Sequence, residues 1–248
     1  MQFKERLIEA RFIKRYKRFF ADVRLGDGTL LTVHCPNPGA MLGLGEEGAR
    51  AFLSRSDAPG RKLSHTLELL EADGTLVGVH TGRPNALAGE AIAAGLIPAL
   101  SGYTERLAEQ RYHTASRIDW LLRAPGRPDA YVEVKNVHLR RSGLGDGKTA
   151  EFPDCVTARG AKHLEALIAM AGLGYRAVML YIVQRNDCER FRIAADLDPA
   201  YDAAFRRAAS LGVEMLCHAC EVSPEAITLG RALPVMPSIG GGTAAAKR

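Results

Sequence analysis

The stretch 116-SRIDWLLRAPGRPDAYVEVKNV-137 decides how the second half of this chain is read. Two extended, apolar-rich runs, 117–123 and 131–139, flank Ala124-Pro125-Gly126-Arg127-Pro128, a turn-forming string that folds one strand back along the other. Side chains alternate between the faces of a strand, so Glu133 and Lys135 share a face, while Val132, Val134 and Val137 include the packing positions. Asp119 stands fourteen residues before Glu133, enough for the hairpin to set the two carboxylates side by side.

That pattern suits divalent-metal phosphodiester chemistry. Asp119 and Glu133, with the Val134 carbonyl as a third oxygen, match the hard-oxygen preference of Mg2+ (or Mn2+), whose remaining positions stay open for water and phosphate. Such an ion polarises the phosphoryl oxygen and lowers the pKa of the attacking water, and Lys135 beside it orients that water and offsets developing negative charge. An ExK string by itself is more often an exposed strand face; Asp119 on the neighbouring strand strengthens the metal reading, and Glu90, on the helix before the strands, adds a further acid. A helix expected over 157–170 carries Arg159, Lys162 and His163 in its first turns, where they reach phosphate or form a solvated face. Asp154 reads as a turn cap, and His113 and His138 as core or surface residues. Cys217-His218-Ala219-Cys220 lacks the second ligand pair that zinc requires.

Working outward, residues 10–80 read as five or so short strands, 10–25, 29–34, 48–54, 66–71 and 75–80, separated by Gly26-Asp27-Gly28, a Pro/Gly loop at 35–39 and Asp73-Gly74. So many strands in so short a span point to a small barrel. Pro84 then opens a helical spacing over 85–100. Beyond the hairpin come a strand over 175–183, a helix over 199–211 and a strand over 213–218, an α/β texture. The expected organisation is a barrel over 1–83, an α/β domain over 84–236 and a disordered tail over 237–248.

Composition bounds the rest. With 248 residues and 47% apolar content the chain can bury a sizeable core. It opens on charged residues and holds no run of about 18 apolar ones, so a soluble, cytoplasmic protein away from membranes is expected. Five cysteines, an odd number, argue for reduced thiols. Residues 1–24 carry eight basic against three acidic side chains, which accounts for the whole net charge of +5. A concentrated basic patch attracts a polyanion through counterion release. Arg15, Lys17 and Arg18 alternate there with Tyr16, Phe19 and Phe20, a mixture that holds a nucleic-acid backbone and stacks bases; Tyr16 is the stacking candidate, with Phe19 and Phe20 expected in the core.

On RYKRFFADV (15–23), HCPNPGAM (34–41), SGYTE (101–105), SRIDWLL (116–122), YVEVKNV (131–137) and EFPDCVTARGAKHLEAL (151–167), the chain resembles the sugar fermentation stimulation protein A family over nearly its whole length. The resemblance implies an N-terminal OB-type barrel followed by a PD-(D/E)xK nuclease-like α/β domain, DNA binding, and a regulatory link to sugar (maltose) utilisation. It implies metal-binding acids at Asp119 and Glu133, the catalytic lysine at Lys135 and a helix acid at Glu90. Asn37 of the PNPG loop joins Arg15, Tyr16, Lys17, Arg18, Arg159 and Lys162 as the nucleic-acid-binding set. Three positions depart from the pattern: Ile118 replaces the proline of the superfamily motif, Pro38 stands where the family has Thr, and Leu67 stands where it has Trp, removing an expected base-stacking platform.

Two functions follow: a Mg2+-dependent DNA nuclease, or a DNA-binding regulator of sugar metabolism that uses the same domain as a scaffold. RNA as the substrate stays open, as does the oligomeric state, a dimer included.

Overall fold

The computed structural model describes residues 1–56, 60–112, 116–143 and 146–238; His113 and most of the expected tail, 239–248, lie outside them. Six strands form the first half: β1 (Ile8–Tyr16), β2 (Phe20–Leu25), β3 (Leu30–His34), β4 (Arg50–Arg55), β5 (His65–Ala72) and β6 (Thr75–Gly78), ordered β3-β2-β1-β4-β5-β6. The His34–Thr66 bridge joins β3 to β5 and closes a five-stranded barrel, as an OB domain requires. Phe12, Val23, Val33, Leu53, Leu67 and Leu70 fill its interior. Leu67 is fully buried, so that position packs the barrel and offers no surface to a base, which corrects the expectation of a lost stacking platform.

The stretch 10–25 is not one strand. It turns back at 17–19, with Lys17 at φ 46° and Arg18 at φ 63°, making a hairpin between β1 and β2. Left-handed backbone at two non-glycine residues is uncommon and gives no Gly or Asn signal in the sequence. Asp73-Gly74, by contrast, makes the expected turn, with both residues at positive φ between paired Ala72 and Thr75.

The second half is a mixed sheet with helices on both faces. Helix α1 (Arg83–Ala93) begins with Pro84 in its first turn and is shorter than the expected 85–100: it stops at Ala93, Gly95 follows at φ 69°, and Pro98–Leu100 forms a separate 3-10 turn. Then come β7 (Glu105–Tyr112), β8 (Ser116–Arg123), β9 (Ala130–Val137), the short β10 (Leu139–Arg140) and β11 (Thr149–Phe152), α2 (Ala158–Gly172), β12 (Arg176–Val183), β13 (Arg190–Ile193), α3 (Pro199–Ser210), β14 (Glu214–Val222) and β15 (Ile227–Ala232). The main sheet runs β15-β14-β12-β9-β8-β7, with β9, β12 and β14 parallel. Thr157 caps α2, its hydroxyl accepting from the Gly160 amide at 3.1 Å.

Alternation along β9 sorts the core. Val132, with Leu180 and Ile182 of β12, packs against α1 and takes in Phe52 and Leu69 of the barrel, so barrel and sheet share one apolar layer. On the opposite face Val137, Met179, Tyr181 and Val183 pack against Leu164 and Leu167 of α2 and Phe205 of α3. Buried Arg185 further ties the halves together: it bonds the His138 carbonyl at 3.1 Å and Asp73 of the β5–β6 turn at 3.3 Å. Among the described residues no helix is long and apolar enough to cross a membrane.

Candidate functional site

The β8–β9 hairpin carries the two acids to one place. Pairing runs from Leu122–Ala130 to Trp120–Val132 and stops. Asp119 comes next, and its Oδ2 accepts the Val134 amide at 2.7 Å, so a side chain takes over where the backbone ladder ends. Its Oδ1 accepts from the Asn85 amide of α1 at 3.0 Å. Close packing makes that reach possible: a Cβ on Gly89 would lie 2.2 Å from the Trp120 ring, and the indole N–H donates to the Asn85 carbonyl at 3.1 Å.

Glu133 is 2% exposed. Its Oε1 accepts from Lys135 Nζ at 2.7 Å and from His163 Nδ1 of α2. His163 Nε2 accepts from Arg159 at 3.2 Å, which places the imidazole proton on Nδ1, toward Glu133. Glu133 Oε2 is buried and has no hydrogen-bond partner, an arrangement that native structures seldom tolerate without a ligand. Burial works against ionisation of Glu133, but the hydrogen bond from His163 and the charge of Lys135 outweigh it and hold the carboxyl below its ordinary range. Asp119 goes the other way, pushed up to about 6 by burial and then by the negative charge of Glu133. Two carboxylates that repel each other, one with an oxygen left open, are a donor set for a hard dication. No group of three His, Cys, Asp or Glu side chains poised around one point occurs among the described residues, so a cation held by these two would complete its shell with other oxygens, water included.

These groups line a cleft of about 970 Å³ between the two halves of the molecule. The barrel contributes Asn37, Pro38, Gly39 and Thr81; the sheet and α2 contribute Glu109, Arg117, Arg159 and Lys162 as well as the acids. Asp154 pins the barrel loop from the other side, its Oδ2 accepting the Met41 amide at 2.7 Å and His138 Nε2 at 3.2 Å. The Asp154 oxygens would lie within 2.8 Å of a Cβ on Gly39, so the close approach needs glycine there. Asp154 is therefore an inter-domain clamp and more than a local turn cap, and buried His138 has a defined partner in it.

The nucleic-acid residues expected from sequence divide into two groups. Lys17 and Arg18 project, exposed, from the hairpin tip, and Arg159 and Lys162 are exposed at the cleft. Phe19 beside them is 44% exposed, against the expectation of a core position, because the turn at 17–19 lifts it out of the strand. Phe20 is half-buried and stacks on Tyr16 at 5.7 Å between centroids, while the Tyr16 hydroxyl donates to Asp22 at 3.1 Å. Arg15 and Asn37 are committed to the fold. Arg15 Nη2 bonds the carbonyls of Asn37 and Gly39 at 2.6 and 2.9 Å. Asn37, 1% exposed, donates to the Val79 carbonyl at 3.0 Å and accepts from the Gly39 amide at 2.9 Å. Both hold the loop that forms the cleft's barrel wall.

Glu90 is not brought to the cleft. It lies exposed on α1, where its Oε2 pairs with the amino terminus at 2.7 Å, and Asn85, more than a turn earlier on the same helix, is the residue that meets Asp119. The Val134 main chain serves Asp119 through its N–H, a use the sequence reading did not foresee. Asn85, Glu109 and Arg117 escaped that reading because none belongs to a recognisable spacing; pairing β7 with β8 in register would have set Glu109 opposite Asp119.

Two family models match the chain: one described as SfsA N-terminal OB domain, over residues 13–79, and one described as Sugar fermentation stimulation protein RE domain, over residues 82–226. The sugar fermentation stimulation protein homolog of Jannaschia sp. (strain CCS1) is 56% identical over 96% of this chain and 98% of its own. That of Rhodospirillum centenum is 57% identical over 94% and 98%. Among solved structures, SfsA of Pyrococcus furiosus in complex with Ca2+ superposes with a TM-score of 0.83 at 26% identity, covering 95% of this chain and 98% of that one.

Proposed function

The chain belongs to the sugar fermentation stimulation protein family, and from that premise we propose that it binds DNA and hydrolyses its phosphodiester bonds at the Asp119–Glu133–Lys135 cleft with Mg2+ or Mn2+, in the manner of PD-(D/E)xK nucleases. The observation that carries the reading is the unpartnered, buried Oε2 of Glu133 beside Asp119, in a cleft edged with Arg117, Arg159 and Lys162. The Ca2+ bound by the Pyrococcus furiosus relative lends support, since Ca2+ and Mg2+ both prefer oxygen ligands.

Asp119 and Glu133 would hold the cation, which when bound polarises a phosphoryl oxygen and acidifies water. The chain's own groups do the rest. Arg159 and Lys162, at the mouth of the cleft, hold the phosphate backbone, and Arg117 adds a bidentate donor. Lys135, whose Nζ lies 2.7 Å from Glu133 Oε1, would orient the attacking water and offset charge on the phosphoryl group. His163 keeps Glu133 ionised by donating to it. The exposed Lys17, Arg18 and Phe19 of the barrel extend the interface along the strand, two cations for phosphates and a ring for a base.

The test is a cleavage panel with Mg2+ or Mn2+ on duplex, single-stranded and branched DNA and on RNA, run beside Lys135→Ala. Cleavage by the wild type that vanishes in Lys135→Ala while DNA binding persists is expected; cleavage unchanged in that variant removes the mechanism.

A further inference from the structure

The basic residues of 1–24 include two, Lys4 and Arg6, that neither the cleft nor the hairpin tip uses. They sit on a segment anchored at both ends. The Ile227 amide donates to the Met1 carbonyl and the Phe3 amide to the Glu225 carbonyl, each at 3.0 Å, and Leu7 is buried in the apolar layer shared by barrel and sheet. Between these anchors Lys4 and Arg6 are exposed and carry no ion pair among the described residues. Because the backbone beneath them is already fixed, a ligand that meets them pays little for ordering it.

The two cations edge a recess of about 470 Å³ whose other walls are the end of β4, Arg61, and Arg83 at the start of α1. Five of its lining side chains are basic and one, Glu5, is acidic. Arg83 is already matched, since its Nε donates to buried Glu68 Oε2 at 3.0 Å and its Nη2 to Oε1. Arg61 donates to the neutral Thr66 hydroxyl, so its charge stays unbalanced beside those of Lys4 and Arg6. Like charges converging on one concavity focus a field that draws in an anion.

The recess adjoins the cleft along the barrel. Arg15, at the foot of the hairpin tip, bonds the Asn37 and Gly39 carbonyls; the Asn37 amide bonds the Val79 carbonyl, and the Thr81 amide bonds the Pro36 carbonyl. Thr81 lines the cleft, and Arg83, two residues on, lines the recess. The barrel wall of the cleft therefore runs from the basic hairpin tip to the basic recess, with cations at either end.

We propose that this recess holds backbone phosphates of a nucleic-acid single strand as it leaves the Asp119–Glu133 cleft, an inference that rests on the nucleic-acid reading of that cleft. Its volume is that of a small-ligand pocket, enough for a nucleotide and too little for a duplex. Lys4 and Arg6 neutralise the phosphates, and the anchored segment keeps the two cations in place.

The experiment measures binding of fluorescein-labelled oligothymidylate to the full-length chain by anisotropy, across a salt series in metal-free buffer so that no hydrolysis intervenes. The probe is about 16 nucleotides long, the upper end of single-strand site sizes on one OB fold. Lys4→Ala/Arg6→Ala is expected to cut the slope of log K against log salt by about 1.4, since each single-strand phosphate no longer neutralised removes about 0.7. Its melt should match wild type, and Lys4→Arg/Arg6→Lys should keep the wild-type slope. A wild-type slope in the alanine variant, or an equal loss on duplex of the same length, overturns the proposal and leaves the cleft reading standing. So does a mononucleotide that binds the wild type as tightly as the strand does and is lost in the alanine variant, which would make the recess a site for free nucleotide. Should the wild type bind neither strand nor duplex, the nucleic-acid reading of the cleft falls with it.

Discussion

Asp119 accepts the backbone amide of Val134 at 2.7 Å, one step past the last paired residues of β8 and β9. The carboxylate thus occupies the place of a ladder carbonyl, and both acids sit on strand backbone whose position the hairpin and the parallel partner β12 determine. Positioning on strands, with Asn85 and His163 supplied from helices on either side, is the preorganisation that metal-assisted chemistry needs.

The packing of α1 on β8 is open to a direct check. Gly89→Ala adds a methyl at 2.2 Å from the Trp120 ring. Alanine gains up to about 1 kcal/mol of helix propensity over glycine, but overpacking costs typically about 1–3 kcal/mol, so the net effect is destabilising. A fall in Tm is expected, by about 2–4 °C for each kcal/mol of destabilisation in a chain of this size. Trp120 is the single tryptophan, so its fluorescence also reports the displaced helix. An unchanged melt and emission spectrum would show that α1 does not sit this close.

Asp154 gives the molecule an acid-sensitive clamp. Burial alone would raise its pKa, but the hydrogen bond and charge of His138, with the Met41 amide, hold it down to about 2. A depressed carboxyl contributes stability that is fully present above the ordinary value of about 4 and lost as pH falls toward about 2. Asp154→Asn should therefore cost on the order of 2 kcal/mol at pH 7, read by urea denaturation, and the gap to wild type should close between about pH 4 and 2. A gap that stays constant across that window would assign the loss to packing instead of charge.

Period-two alternation shows Glu133 and Lys135 on one face, and the Pro/Gly turn shows Asp119 returning beside them, because both are local and strand-encoded. The barrel is legible from turn chemistry at Asp27-Gly28 and Asp73-Gly74. The hairpin tip is not, since Lys17 and Arg18 adopt left-handed backbone without a glycine. Arg15 and Asn37 look like ligand-binding residues because Arg and Asn often are; that they bind loop carbonyls depends on which strand the 35–41 loop crosses, a tertiary fact. Asn85 in place of Glu90 likewise depends on how α1 lies against β8, which helical periodicity does not determine.

That division of the basic residues predicts different phenotypes. Lys17→Ala and Arg18→Ala remove exposed cations, so DNA affinity should fall uniformly across sequences, with the slope of log K against log salt shrinking by about 0.9 for each duplex phosphate that is no longer neutralised. Their melts should match wild type. Arg15→Ala should lower Tm instead, because the Asn37 and Gly39 carbonyls lose the guanidinium that orders them. Equal salt slopes in wild type and the Lys17/Arg18 double variant would take the hairpin tip out of the DNA interface.

Glu133 should make stability depend on the cation. A dication that binds the folded chain alone stabilises it by mass action, about 2.7 kcal/mol at a hundredfold excess over Kd. Mn2+ should therefore raise the wild-type Tm in a concentration-dependent way at neutral pH. Glu133→Gln keeps the volume of the side chain but loses the charge that Lys135 and His163 face, so its metal-free melt should fall, since removing one partner of a buried pair leaves the other uncompensated. Added Mn2+ should then recover little of the loss, because the open Oε2 is gone as an anionic ligand. Should Glu133→Gln show the same Mn2+-induced shift as wild type, the ion sits elsewhere, and the pairing of Glu133 with Lys135 is structural.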